Sequence, residues 1–292
     1  MFVITGVSGN TGSVVADTLL AQKKAVRVVV RDAKKGEPWK AKGAEVAVAG
    51  LDDEAALTKA FEGAEGAYVL LPPDWTSPDP NKSNAKRAAT IAKAVDAARV
   101  KHVVFLSSVG AQHASGTGPI TSLHDGEKAL SGTKAATTFV RAAYFMENLG
   151  SSLHALGQGQ YPTFFETNLT MPMVATEDIG KTAARALLEG GHGRQLIELS
   201  GPKDYTQNDV ADALSRITKT AVRVQPGPTS AMKGALEGAG LPPVWAGLYQ
   251  EMTEGINSGH VAFEGKGARA IRGTVSLESV LEKLVASATP AH

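Results

Sequence analysis

Ile4-Thr5-Gly6-Val7-Ser8-Gly9-Asn10-Thr11-Gly12 decides the fold of this chain. Phe2 to Thr5 is a short apolar run that reads as a buried strand, and Thr11 to Gln22 carries Val14, Val15, Thr18 and Leu19 on one helical face. The glycines therefore join the end of a strand to the start of a helix. Gly6 permits the tight turn, Gly9 has no Cβ to hold off a phosphate, and Gly12 lets the helix lie close to the sheet. The N–H groups of Asn10 to Ser13 are unpaired donors at a positive helix end, so the loop predicts dinucleotide binding through a pyrophosphate.

Val26–Val30 and Ala44–Val48 read as further buried strands, and Ala67–Leu71 as a fourth, stopped by Pro72-Pro73. His102–Leu106 and Thr137–Val140 follow as strands, with helices over Asp53–Phe61, Ser83–Ala98 and Ser122–Ser131 between them. Strands apolar on both faces and alternating with helices belong to a parallel sheet covered on both sides. The fold class is α/β: a Rossmann-type doubly wound parallel sheet over residues 1–149. Residues 150–292 read as a smaller, mostly helical cap on the substrate side, packed on that sheet. Within it, Gly150–Pro162 reads as a loop or crossover, Thr176 as the N-cap of a helix to about Glu189, and Thr206 with Asp209 as a capping-box start. Residues 226–243 are rich in Gly and Pro; Val244–Met252 and Leu277–Val285 show helical periodicity.

Composition removes several classes. No cysteine is present, which excludes disulfides, thiolate metal sites and a cysteine nucleophile. Lys and Arg number 30 against 29 Asp and Glu, a net +1 that gives no case for a nucleic-acid partner. No apolar run reaches the ~18 residues of a membrane span, and a strand starting at Phe2 leaves no room for a leader, so the expected location is cytoplasmic. His-Glu-x-x-His, Gly-x-Ser-x-Gly and Walker patterns are absent, and no metal site is expected.

The second strand ends at Arg31-Asp32. A carboxylate there accepts from a ribose 2′-OH, whereas an arginine holds a 2′-phosphate. Arg31 comes first, at the strand tip, with Lys34 and Lys35 nearby, which favours NADP(H) over NAD(H); the alternative is a solvated Arg31 with Asp32 on the ribose. Asp52 either reaches an adenine amino group or caps the next helix. Leu71 and Pro72 form either a cofactor wall or a plain turn.

Four stretches resemble the NmrA-like branch of the atypical short-chain dehydrogenase/reductases. They are the opening loop, Val29-Val30-Arg31-Asp32, Val104-Phe105-Leu106-Ser107-Ser108, and Arg141-Ala142-Ala143-Tyr144-Phe145-Met146-Glu147-Asn148-Leu149. Val174-Ala175-Thr176-Glu177-Asp178-Ile179 is similar to a later turn of that branch, and Glu127-Lys128-Ala129-Leu130 echoes a stretch of its quinone oxidoreductases. The glycine spacing, Gly-x-x-Gly-x-x-Gly, also matches. The resemblance implies Gly6, Ser8, Gly9, Asn10 and Thr11 around a pyrophosphate and Arg31 on a 2′-phosphate. It also implies Lys128 and Tyr144 to Asn148, with Phe145 among them, near a nicotinamide. The branch holds NADPH-dependent quinone oxidoreductases, triphenylmethane reductases and non-catalytic NADP-binding regulators.

Short-chain dehydrogenases use Tyr-x-x-x-Lys for proton transfer. None of the tyrosines, at 68, 144, 161, 205 and 249, has a lysine four residues on. The corresponding helix carries His124 and Lys128 one turn apart, giving His124, Lys128 and Ser107 as candidate catalytic residues. Ser107 follows a strand and either bonds a substrate oxygen or caps a turn. The loss of tyrosine disfavours ordinary alcohol dehydrogenation and sugar epimerisation. It suits hydride transfer to a quinone or a similar electrophilic aromatic acceptor, and it equally suits a redox sensor that binds NADP(H) without turnover. Candidate walls for a flat acceptor are Tyr144, Phe145, Phe164, Phe165, Trp245 and Tyr249; each has core packing as its alternative. Expected partners are the small acceptor, with a homodimer and, for a sensor, a protein partner left open.

Overall fold

β1 (Phe2–Thr5) is buried at every position and lies inside an eight-stranded sheet. The computed structural model describes residues 1–288. After β1 come α1 (Asn10–Ala21), β2 (Val26–Val30), a short α2 (Glu37–Ala41), β3 (Glu45–Val48), α3 (Glu54–Phe61), β4 (Gly66–Val69), α4 (Pro80–Ala97), β5 (His102–Ser108), α5 (Thr121–Ser131) and β6 (Ala136–Ala142). The second half adds β7 (Tyr144–Phe145), β8 (Gln160–Thr163), β9 (Met171–Val174), α6 (Thr176–Glu189), β10 (Arg194–Ser200), β11 (Asp204–Tyr205) and α7 (Gln207–Thr218). β12 (Arg223–Pro226), α8 (Met232–Gly238), α9 (Pro243–Asn257), β13 (Arg269–Arg272) and α10 (Leu277–Ala288) complete it.

The main sheet runs β13-β10-β6-β5-β4-β1-β2-β3, and every pair is parallel. Alternate strand residues feed two cores. Ile4, Val28, Tyr68, Val104 and Val140 meet Val15, Leu19, Ile179 and Ala183 on one face. Val3, Val29, Val69, Phe105 and Phe139 meet Leu57, Phe61, Ile91 and Val95 on the other. This is the doubly wound arrangement that two-faced apolar strands demand. Its winding reverses between β1 and β4, which opens a crevice beyond their C-terminal ends.

The second half departs from the sequence reading in four places. β10 and β13, with α6 behind β4, β5 and β6, belong to the main sheet layer, so residues after 150 build sheet as well as cap. The expected loop over 150–162 is a 3-10 run, Met146–Gln158, followed by β8. The Gly- and Pro-rich stretch contains α8. The N-cap before α6 is Ala175, not Thr176, because the Thr176 N–H and hydroxyl both bond the Glu147 carboxylate, at 2.9 and 2.6 Å to Oε1. An acidic group at a helix N-terminus replaces the usual cap. The box at Thr206 and Asp209 forms as expected.

The remaining cap residues close over a third core containing Met146, Leu149, Tyr161, Met173, Leu214 and Leu281. Among the described residues, no helix is long and apolar enough to cross a membrane, and no cluster of three or more His, Asp or Glu could hold a metal.

Candidate functional site

A cavity of about 480 Å³ lies at the winding reversal. Its floor is the glycine loop (Gly6, Ser8, Gly9, Asn10, Thr11) and the ends of β4 and β5 (Leu70 to Pro73, Leu106 to Ser108). Its far wall is Leu123, Ala143, Tyr144, Phe145, Asn148, Thr176, Tyr249 and Met252. The crevice thus joins residues over two hundred positions apart in sequence.

The three loop glycines have different reasons. Gly6 has φ +68°, and a Cβ there would sit 2.7 Å from Leu70 Cδ2. At Gly12 a Cβ would lie 2.4 Å from the Gly6 carbonyl oxygen, so this glycine lets α1 approach the sheet and does not line the cavity. At Gly9 the nearest atom would be 3.4 Å away, with φ −106° and ψ 174° open to any residue. Nothing inside the protein requires glycine at position 9. α1 also starts without a side-chain cap, leaving its first N–H groups for a ligand. Behind them, the buried Tyr68 hydroxyl donates to Thr11 Oγ1 at 2.8 Å, which leaves the Thr11 hydrogen to point elsewhere. A pyrophosphate fits this cradle.

Arg31, at the end of β2, is exposed and carries no ion pair among the described residues. Its neighbour Asp32 caps the following turn, accepting from the Lys34 N–H at 3.0 Å. Asp52 lies outside the cavity: it neither caps α3, a role taken by Asp53, nor stays free, because Arg87 Nε donates to both its oxygens at 3.2 Å. Leu71 and Pro72 line the cavity.

The catalytic candidates separate. Neither His124 nor Lys128 lines the cavity. The His124 ring is held by the Ala111 carbonyl through Nδ1 at 3.0 Å, and Lys128 is exposed. α5 turns Leu123 and Glu127 inward instead, since residues four apart share a face and the buried one is Glu127. Ser107 does reach the cavity, but its only hydroxyl hydrogen goes to Glu127 Oε1 at 2.6 Å. Toward a ligand Ser107 therefore offers a lone pair and no donor. Glu127 is in turn gripped by Arg141 through two 2.8 Å bonds, and both residues are buried. Arg141 continues to Glu264 at 2.9 Å. The sequence reading passed over this Ser107–Glu127–Arg141 chain. Its visible signal was an arginine near the end of a buried strand with no other charged residue, where a buried carboxylate makes the charge tolerable.

Among the aromatic candidates Tyr144, Phe145 and Tyr249 line the cavity, whereas Phe164 and Trp245 do not. Phe164 packs against Gly227, and Trp245 is buried with its indole N–H donating to the Asp74 carbonyl at 3.0 Å. Phe165 stands edge-on to Tyr144, with centroids 5.3 Å apart. Burial pushes the Tyr144 and Tyr249 hydroxyls above their ordinary pKa, so both stay neutral phenols at physiological pH.

Known proteins share this architecture. The chain is 27% identical over 262 residues to an NAD(P)H azoreductase of Xenophilus azovorans, covering 86% of each. It is 28% identical over 269 residues to quinone oxidoreductase 2 of Escherichia coli, covering 91% of each. A crystal structure of an NADPH-dependent quinone oxidoreductase from E. coli superposes with a TM-score of 0.79 at 26% identity, over 99% of this chain and 100% of that one. The model of the NmrA-like family matches residues 1–272, from the glycine loop through the last strand of the main sheet, and the chain belongs to that family.

Proposed function

We propose that this protein is an NADPH-dependent reductase that passes hydride to a quinone or a similar electrophilic aromatic acceptor. The observation that carries the proposal is the cavity itself, which joins an uncapped glycine loop to an apolar, aromatic-walled chamber without a Tyr-Lys acid–base pair. Gly6, Ser8, Gly9, Asn10 and Thr11 would hold the diphosphate, and Leu71 and Pro72 the ribose side. Tyr144, Phe145 and Asn148 would line the nicotinamide and acceptor end. Arg31 would pair with the 2′-phosphate. The exposed Arg31, with no ion-pair partner among the described residues, supports this preference over NAD(H).

A bound nicotinamide supplies the hydride. The residues of this chain position the acceptor and exclude water. Leu71, Leu123, Tyr249 and Met252 present apolar surface that desolvates a flat ring and orients it. No side chain needs to deliver a proton at the transition state: the product is a phenolate-like anion with a pKa of about 10, which water protonates. Ser107, whose hydrogen is committed to Glu127, accepts a hydrogen bond and fixes a ligand N–H or O–H.

Incubation of the purified protein with NADPH and a panel of benzoquinones, naphthoquinones and azo dyes tests the reading by loss of nicotinamide absorbance. Oxidation above background with a quinone is expected. Binding of NADPH with no turnover of any acceptor would instead leave a sensor.

A further inference from the structure

Trp75 is one of only two large apolar side chains exposed among the described residues, 48% open to solvent, and it follows the cavity-lining Leu70–Pro73 stretch by two residues. Exposure of this kind usually marks a loose loop, but here the loop is clamped. The Asp74 carboxylate accepts from the Thr76 N–H at 3.2 Å, the Thr76 hydroxyl at 2.8 Å and Arg87 Nη2 at 2.8 Å. The Asp74 carbonyl accepts from the Trp245 indole at 3.0 Å. Both flanks of Trp75 are thus fixed to buried or charged partners. Its ring packs on Trp245, centroids 4.7 Å apart, and lies within 26° of parallel to Tyr249 at 6.5 Å. Tyr249 is itself a cavity wall. The Trp75, Trp245 and Tyr249 rings thus form one cluster that links a cavity-wall residue to a half-open indole beyond the lining.

A cavity of about 480 Å³ that must take both the reactive end of a dinucleotide and an acceptor has room inside for little beyond the reacting ring. Resting on the reductase reading above, we propose that Trp75 forms an outer subsite that stacks a second aromatic ring of the acceptor, so that the preferred substrates carry a further aryl group beyond the ring that receives hydride. Trp75 is then a specificity-determining residue. The clamp at Asp74 keeps its face pre-set, which lowers the ordering cost of binding.

The test compares 1,4-benzoquinone with 2-phenyl-1,4-benzoquinone, which share the reacting ring and differ by one phenyl. The ratio of kcat/KM values, phenyl over parent, should fall about two- to tenfold in Trp75→Ala, mainly through KM, and return in Trp75→Phe, as expected for one stacked ring pair. An unchanged ratio in Trp75→Ala overturns the subsite. If the wild-type protein reduces neither quinone, the reductase reading fails on its own. The subsite is then read by calorimetric titration of the NADP⁺-saturated protein with hydroquinone and phenylhydroquinone. Tighter binding of the phenyl compound that is lost in Trp75→Ala supports it, and a preference absent from wild type or kept in Trp75→Ala refutes it.

Discussion

Replacing Gly9 by Ala separates a glycine kept for a ligand from one kept for the fold. At φ −106° and ψ 174° alanine is unstrained, and its Cβ meets nothing nearer than 3.4 Å. Removing backbone freedom from the unfolded chain at a compatible site stabilises by about 0.4–1 kcal/mol, so Gly9→Ala should match or slightly exceed the wild-type melting temperature. Gly12→Ala is the internal contrast. Its Cβ would lie 2.4 Å from the Gly6 oxygen and 2.8 Å from the Thr5 oxygen, both backbone atoms that cannot swing away. Overpacking of that kind costs about 1–3 kcal/mol and lowers the melting temperature by several degrees. The order reverses for NADPH. A methyl at position 9 displaces a diphosphate from the first N–H groups of α1, and losing one charge-assisted hydrogen bond, about 1.5–3 kcal/mol, raises Kd roughly ten- to a hundredfold. Differential scanning calorimetry and isothermal titration with NADPH measure the two effects on the same samples. Wild-type NADPH affinity in Gly9→Ala would refute the placement of the diphosphate; a clear loss of stability in that variant would show that the fold, and not a ligand, needs the glycine.

Further outcomes follow from the same geometry. Arg31→Ala should raise the Kd for NADPH by about tenfold or more while leaving NADH within about twofold, since only a 2′-phosphate engages the guanidinium; equal weakening of both would refute that role. Glu127→Ala removes the buried, doubly bonded partner of Arg141 and leaves that charge only the part-exposed Glu264, so it should cost up to about 3–5 kcal/mol in urea unfolding, far more than Lys128→Ala on the exposed face of the same helix. His102 is buried against Thr138, and burial pushes its imidazole down to about 4. The unfolded chain then binds more protons than the folded one between pH 6.5 and about 4, so stability is full above pH 6.5 and is lost as the pH drops through that window, by at most about 3 kcal/mol. His102→Gln should flatten the slope in pH-dependent unfolding.

The main features of the sheet were legible because they are local. Unbroken buried runs such as Phe2–Thr5 bury both faces, Gly6 to Gly12 sit between a strand and a helix, and Thr206 to Asp209 closes its own cap; each needs only near neighbours in sequence. β10 and β13 escaped because their apolar cores are short and their ends polar, and they are strands only by virtue of pairing with β6 and with each other. The 3-10 run after β7 escaped because its glycines and serines read as loop, while Leu149 and Leu153 are held by the cap core.

At the site, the glycine loop between strand and helix, the Arg31-Asp32 pair after the second strand and the lack of a Tyr-x-x-x-Lys pattern were legible from sequence, since each is a matter of residue type at a stated spacing. Tertiary structure alone decided which side of α5 looks inward. Helical spacing puts His124 and Lys128 on a common face but says nothing of where that face points, and packing turned it away, burying Glu127 against Arg141. It alone also gathered Tyr144 and Tyr249 into one wall and left Trp75 outside it. The physical reason is common to both: periodicity records which residues of one element point together, whereas the neighbours they meet are chosen by long-range packing of other elements.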